Sequence, residues 1–196
     1  MISIVTAICL GICLSAACGL RVFLPFLVVS IAARCGVLEL RDGFIWIGTW
    51  PAIITFSTAT LLEVGAYYVP WLDNVLDSIA TPAAGIAGTL MTVAVMPHDV
   101  SALFSWSIGI IAGGGMATGV QVVTVGTRAL STASTGGMGN HLVSTGEAVG
   151  SAGISISALF MPIIVGLVVV TAICIMFWFI IKNGGRLICR NRTAVT

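Results

Sequence analysis

Charged residues are scarce throughout this chain. Asp, Glu, Lys and Arg together make up only 8% of the 196 residues, while 58% are hydrophobic. A soluble domain averages about 25% charged residues, so this chain has too few polar groups to cover the surface of a soluble fold. The composition therefore predicts an all-α polytopic membrane protein with one integral domain over residues 1–196.

Basic residues and catalytic motifs are also few. The net charge is +1, and the basic residues are scattered or C-terminal, which excludes a nucleic-acid-binding surface. The six cysteines form no C-x-x-C pair and His141 lies far from all of them, so we expect no metal site and no cofactor. The sequence lacks the H-E-x-x-H and Gly-x-Ser-x-Gly patterns. A membrane-embedded enzyme acting on lipid is therefore the least favoured class of function.

The first apolar segment, residues 1–33, has no charged side chain before Arg21 and is apolar again after it. It is too long for one crossing of about 20 residues and barely long enough for two. We therefore expect a broken element, with helix breaks at Gly19 and Pro25. It either crosses the membrane once or forms a re-entrant hairpin.

Four full transmembrane helices are predicted after this element, at residues 44–69, 75–96, 102–130 and 154–181. The intervening residues 131–153 are rich in Ser, Thr and Gly; their ends are predicted to be loop, and Leu142 to Val149 a short helical turn near the interface. Prolines and glycines inside the spans predict helix breaks or close helix contacts. These residues are Pro82, Gly85, Gly113, Gly114 and Gly115.

The distribution of Lys and Arg predicts the orientation. The C-terminal tail, residues 182–196, carries four basic residues and the 34–43 connection carries two. Both are expected on the cytoplasmic side of the plasma (inner) membrane. The 70–77 turn and the 131–150 segment carry none and are expected on the opposite side.

A weak internal similarity relates two of the apolar segments. Residues 18–22 align with residues 118–122 at an offset of 100, and each element contains a glycine-rich break. If the first element crosses the membrane once, the two segments run in opposite directions, which is the arrangement of an inverted-topology repeat.

Arg21 is the most specific candidate for a functional residue. An arginine in hydrocarbon costs at least about 2.5–3.5 kcal/mol, so it normally faces a protein partner or a water-filled cavity. It either binds an anion or acts as a gating charge at the broken helix, or it forms a structural ion pair. Glu63, predicted to lie about 9–10 Å from the end of its helix, is its natural partner, or else a protonatable relay carboxylate.

Four other charged residues are candidates for a solute or ion pathway. Asp73 and Asp77 are four residues apart and would share one face if the turn continues into a helix. They either hold a cation or an arginine between them or form a solvated entrance, with one of them as a helix N-cap. Arg128 either lines the pathway or extends to the membrane interface. Glu147 either faces the same cavity or faces solvent.

Several spaced residues carry a resemblance to a known family. They are Gly19-Leu20-Arg21-x-x-Leu24-Pro25, then Glu63-x-x-x-Tyr67-x-x-Pro70-x-x-Asp73-x-x-x-Asp77, then Pro82-x-x-Gly85. In this pattern the chain resembles the domain of unknown function 4126 family of small integral membrane proteins. The likeness covers residues 15–88 well. Later, Arg128 matches an arginine of the family, whereas Gln121 and Thr124 stand where a basic residue is expected. The resemblance implies these site residues but no established activity.

Together these observations favour a small transporter or channel-like protein, with Arg21 and Glu63 lining a polar intramembrane cavity. Its expected partners are the lipid bilayer, a small polar or anionic solute and further copies in a homo-oligomer. The alternative is a non-catalytic membrane scaffold or assembly protein, in which these charges form a structural ion pair.

Overall fold

A computed structural model describes residues 3–66, 70–136 and 139–192 of the chain, and all regular structure in these ranges is helical. In chain order the elements are α1 (Ile4–Leu20), α2 (Phe23–Arg34), a 3-10 helix (Asp42–Gly48), α3 (Trp50–Ala66), α4 (Pro70–Ala94), α5 (Ala102–Ile108), a π-helical segment (Gly109–Gly114), α6 (Gly115–Thr135), α7 (Asn140–Phe160) and α8 (Pro162–Arg192).

Two helices among the described residues are long and apolar enough to cross a membrane. One is the continuous helix Ala102–Thr135, which joins α5, the π-helical segment and α6, and the other is α7. The 3-10 helix and α3, which are bent by 68° relative to each other, qualify as a third span if they act together. The other apolar helical segments with described side chains have 10–17 residues and are Ile4–Leu20, Phe23–Arg34, Ile79–Ala94 and Pro162–Met176. The all-helical architecture is thus confirmed, while the four full spans stay a prediction.

Helix α1 lies at the centre of the bundle, against α4, α6, α7 and α8. Most of its residues from Ala7 to Gly19 are buried, and its N-terminus is capped by the Ser3 hydroxyl. Its glycines allow close approach: a Cβ at Gly11 would contact Thr92, and a Cβ at Gly19 would contact Ala117. The side chains of α1 are apolar or small on every side, which suits a helix that other helices surround.

The contacts between α1 and α4 show that the two helices run antiparallel. Near the middle of α1, Gly11 contacts Thr92, close to the end of α4. One turn further along α1, the Ser15 hydroxyl donates to the Gly88 carbonyl at 2.7 Å, one turn earlier in α4.

Helix α4 also runs antiparallel to the continuous helix Ala102–Thr135, because Gly109 contacts Val93 while Gly85 contacts Thr118. Because α1 and this continuous helix both run antiparallel to α4, they run in the same direction as each other. These two described segments therefore do not show the inverted arrangement that their alignment predicts.

The first apolar segment is broken, as predicted, but the break lies just after Gly19. Helix α1 ends at Leu20, Arg21 has extended backbone angles (φ −146°, ψ 124°), and α2 begins at Phe23. Pro25 lies within the first turn of α2, where a missing N–H is tolerated, so it does not break the helix.

The helix breaks predicted at the other prolines and glycines are wrong. Helix α4 continues through Pro82 and Gly85. Gly113 and Gly114 lie in the π-helical segment and Gly115 begins α6, all within one continuous helix. A Cβ added to Gly113 would lie 2.6 Å from the Gly88 carbonyl oxygen. Gly113 and Gly114 therefore allow close packing against α4 rather than interrupting their own helix.

The largest difference from the predicted organisation is α7. Residues 131–135 continue α6, and α7 is one continuous helix over Asn140–Phe160, where only a short helical turn at residues 142–149 was predicted between loops that end at residue 153. The predicted span at residues 154–181 is divided at Met161, after which Pro162 begins α8. The turn predicted at residues 70–77 is also wrong, because α4 includes these residues.

Candidate functional site

Arg21 lies at the break between α1 and α2 and is only 1% exposed. Its Nη2 donates to the carbonyl of Ser144 at 2.9 Å and also to the Ser144 hydroxyl. The same nitrogen lies 3.4 Å from Oε2 of Glu147. The broken helix thus directs its arginine towards α7, at the centre of the protein.

Glu147 is shared by a second buried arginine, Arg128 of α6. The Arg128 Nε donates to one carboxylate oxygen of Glu147 at 3.2 Å, and its Nη2 contacts the other oxygen. This bidentate geometry is the strongest form of arginine–carboxylate contact. Arg128 therefore pairs inside the bundle and does not extend to the membrane interface, and Glu147 does not face solvent.

Glu63 has a different role from the one predicted. Its two carboxylate oxygens accept from the backbone N–H groups of Val22 and Phe23, at 2.8 and 3.1 Å. These groups lie at the N-terminus of α2, where backbone N–H groups lack helical partners and favour a negative charge. The predicted direct pair of Arg21 with Glu63 is therefore wrong. Arg21 still acts on Glu63 electrostatically, as does Arg128.

The packing of α2 against α3 places Glu63 at this position. The two helices run antiparallel: the Phe26 and Phe56 rings stack with centroids 5.2 Å apart, and the Ser30 hydroxyl donates to the Ile47 carbonyl. A carboxylate near the end of α3 consequently meets the first residues of α2.

In the part of the chain that the structure describes, two arginines and two glutamates from four segments form one buried cluster. Arg21 and Arg128 are balanced in charge by Glu63 and Glu147, and all four are buried. Buried charges persist only when they are paired and hydrogen-bonded, and these contacts meet that condition. We call these four residues the charge cluster. The other two candidates, Asp73 and Asp77, have side chains that lie outside the described residues.

Helix α7, which carries Glu147, has a polar inner face and an apolar outer face. Its buried residues recur at helical spacing and are Asn140, Ser144, Glu147, Ser151, Ser155 and Ala158. Its large exposed residues are Leu142, Val149, Ile156 and Phe160. This is the reverse of a helix in a soluble bundle and is the pattern expected where lipid lies outside and a polar interior lies within.

The buried face of α6 is also polar and meets that of α7. Arg128 contacts Glu147, and Thr132 Oγ1 accepts from Asn140 Nδ2 at 2.9 Å. Together these faces form a surface that we call the polar seam. It consists of Gln121, Thr124 and Arg128 on α6 and of Asn140, Ser144, Glu147, Ser151 and Ser155 on α7.

Most of the polar seam is absent from the predicted site. Ser144, which holds Arg21, and Ser151, which donates to the Ala17 carbonyl at 2.9 Å, were not predicted. A signal for them exists in the sequence, because polar residues recur at positions 140, 144, 147, 151 and 155, with the spacing of one helix face. The described residues contain no group of three or more His, Cys, Asp or Glu that could hold a metal ion.

Comparison with known proteins identifies a family. No significant match to the chain is found among curated proteins or among solved structures. A family described as "Domain of unknown function (DUF4126)" matches residues 8–182, a range that includes the whole charge cluster and the whole polar seam. Because this match covers most of the sequence, the chain belongs to the DUF4126 family.

Proposed function

We propose that this DUF4126 protein is a small membrane transporter or channel-like protein, and that its solute path follows the polar seam. The observation that carries the proposal is the reversed polarity of α7, whose buried face is polar and whose outer face is apolar. From Asn140 to Ser155 this face extends about 22 Å along the helix, at about 1.5 Å per residue. That length is most of a hydrocarbon core of about 30 Å.

The charge cluster gives this path its polarity and suggests its solute. Ionisable side chains within a membrane protein are costly and usually mark a pathway for ions or polar solutes. Glu147 already sits between the two arginines, as an incoming anion would, and Glu63 already occupies the N-terminus of α2. A small anion that exchanges with these carboxylates fits the site best.

One buried hydroxyl of the seam supports the same proposal. Among the described residues, Ser155 Oγ is fully buried and has no hydrogen-bond partner. A buried hydroxyl without a partner is destabilising, by about 1–3 kcal/mol. Ser155 therefore offers a hydrogen bond to a solute at the end of the seam away from Asn140.

In this proposal the chain crosses the plasma (inner) membrane several times, with its basic C-terminal tail on the cytoplasmic side. The four basic residues of that tail favour this orientation.

The proposal is tested by solute uptake into liposomes that contain the purified protein. We expect uptake of at least one of radiolabelled chloride, phosphate and glycerol above that of protein-free liposomes. A hydrogen bond to a charged group contributes about 1.5–3 kcal/mol, so Arg21→Gln should slow anion uptake about tenfold or more. The matched control is Val149→Ala on the lipid-facing side of α7, which should leave uptake unchanged. Normal uptake by folded Arg21→Gln protein would contradict the proposal.

A second candidate function is a non-catalytic membrane scaffold, in which the charge cluster only holds the helices together. The observation in its favour is that both carboxylates of the cluster already have partners within the chain: Glu63 bonds two backbone N–H groups and Glu147 contacts two arginines. This candidate predicts no uptake of any of the three solutes by the wild-type protein, while substitutions in the cluster still lower its thermal stability.

A further inference from the structure

A small cavity opens where the C-terminus of α2 meets the 3-10 helix, far along α2 from the charge cluster. Its volume is about 180 Å³, and Arg34 is the charged side chain among its described lining residues. The residues that line it are Ala33, Arg34, Leu38, Leu40, Ile45 and Gly48.

The arginine of this cavity, Arg34, is exposed, and among the described residues no carboxylate pairs with it. Its guanidinium lies over the Trp50 ring, 5.4 Å from the ring centroid. The neighbouring Arg41 differs, because it donates to the Ser105 hydroxyl at 2.7 Å and to the Val100 carbonyl at 2.9 Å. Arg34 is thus a positioned positive charge whose hydrogen-bonding groups remain open to a ligand.

The surroundings of the cavity place it at the level of the lipid headgroups. Ile45, Trp46 and Trp50 are each more than half exposed beside it. Tryptophan is enriched at membrane–water interfaces, where one end of the ring is in an apolar environment and the other is wet. The 68° bend between the 3-10 helix and α3 turns this short segment away from the axis of α3, as expected of a segment that lies along the interface.

The cavity wall is fixed to α2 and does not depend on a ligand for its shape. The Ser30 hydroxyl donates to the carbonyl of Ile47, whose side chain is buried. Gly48 approaches Ala33 so closely that a Cβ added to Gly48 would lie 3.2 Å from the Ala33 Cβ. A binding site held in place in this way loses little entropy when a ligand enters.

We propose that this cavity binds the headgroup of an anionic phospholipid, with the Arg34 guanidinium on the phosphate. Charge complementarity selects the headgroup, since an arginine held against tryptophan, with the exposed apolar side chains of Ile45 and Trp46 beside it, suits an anion attached to an apolar tail. Ile45 and Trp46 lie where the lipid's glycerol and upper acyl chains would pass. The proposal requires that the protein lies in a membrane, but it does not depend on transport.

The test measures lipid binding to the purified full chain in a neutral detergent by native mass spectrometry. Phosphatidylglycerol and phosphatidylcholine with the same acyl chains are the two probes. We expect tighter retention of phosphatidylglycerol, and about fivefold weaker binding of it after Arg34→Gln, because one basic residue near an anionic surface contributes about that factor. Arg34→Lys should keep most of the preference. The matched control is Lys182→Gln, which removes another cation that lies over a tryptophan, Trp178.

Three other outcomes would contradict the proposal. Equal retention of the two lipids would exclude recognition of an anionic headgroup. An equal loss in the Lys182→Gln protein would show general attraction of anionic lipid to positive charge. If sodium phosphate protects the protein against thermal unfolding as well as phosphatidylglycerol does, the site is one for a free anion and not for a lipid. Thermal unfolding of the Arg34→Gln protein in detergent, expected to match wild type, separates lost binding from lost folding.

Discussion

Arg128 and Glu147 form a buried, bidentate ion pair between α6 and α7, and Arg21 contacts the same carboxylate from the break between α1 and α2. One glutamate thus joins three segments that are distant in the sequence. Removal of either side chain from a buried pair typically costs about 3–5 kcal/mol, because the remaining charge stays buried.

Glu147→Gln is therefore expected to lower the free energy of unfolding by about 3–5 kcal/mol. The substitution keeps the size of the side chain but removes the negative charge that both arginines contact. Chemical unfolding of the purified protein in detergent measures the change. The control is Glu39→Gln, at an exposed position in the connection after α2, which should change stability by less than about 0.5 kcal/mol. Equal stability of the two variants would show that the cluster does not hold the helices.

A double-mutant cycle tests which residues pair. Arg128→Gln and Glu147→Gln are expected to show a coupling energy of about 0.5–3 kcal/mol, because each substitution alone removes the same contact. The cycle of Arg21→Gln with Glu63→Gln should give a smaller coupling, since Glu63 bonds backbone N–H groups rather than the Arg21 side chain. A larger coupling energy in the Arg21 and Glu63 cycle would instead support the direct pairing of these two side chains that the sequence predicts.

Glu63→Gln is expected to destabilise the protein less than Glu147→Gln does. Loss of a helix N-terminal cap costs about 0.5–2 kcal/mol, and the glutamine keeps one oxygen that can accept from Val22 or Phe23. The same unfolding measurement gives the comparison. If Glu63→Gln proves the more damaging substitution, its carboxylate does more than cap α2.

The glycines of the π-helical segment provide a test with a neighbouring control. Gly113→Ala should destabilise the protein by about 1–3 kcal/mol, because the new methyl group would lie 2.6 Å from the Gly88 carbonyl oxygen and the packed helices must move apart. Gly115→Ala, two residues later, has no neighbour within 4 Å and should stabilise the helix by up to about 1 kcal/mol. Thermal unfolding of both variants measures the two changes in stability. Equal destabilisation would indicate that α4 does not pack closely against Gly113.

The sequence identifies the four charged residues as candidates, but it left the burial of Arg128 and Glu147 open and did not predict which side chains pair. Arg21, Glu63, Arg128 and Glu147 stand out because charge is rare in this chain and each lies in or next to an apolar segment. Partner choice depends on which helices are neighbours and on which backbone groups are exposed. The N–H groups at the start of α2 attract Glu63, and no charge pattern in the sequence shows that attraction.

The extent of helix α7 was missed for a related reason. Ser, Thr and Gly are typical of loops when water surrounds the chain, and the ends of residues 131–153 were interpreted in that way, with only a short helical turn between them. Within a bundle that faces lipid, polar residues turn inwards instead, and a regular spacing such as that of Ser144, Glu147 and Ser151 indicates a helix. The helix breaks were predicted in excess because proline and glycine within an apolar helix are tolerated when neighbouring helices pack against them.

The most direct test of the proposed solute path is to fill the polar seam without removing a charge. Ser155→Leu places a large apolar side chain at a fully buried position of α7, whereas Ile156→Leu changes an exposed neighbour. Both proteins are assayed in liposomes for the solute that wild type takes up, and detergent unfolding confirms that each is folded. We predict that Ser155→Leu reduces the rate of uptake about tenfold or more, which corresponds to an increase of about 1.4 kcal/mol in the barrier to solute passage. Ile156→Leu should leave the rate of uptake unchanged. Uptake by folded Ser155→Leu protein at the wild-type rate would contradict a path along the seam.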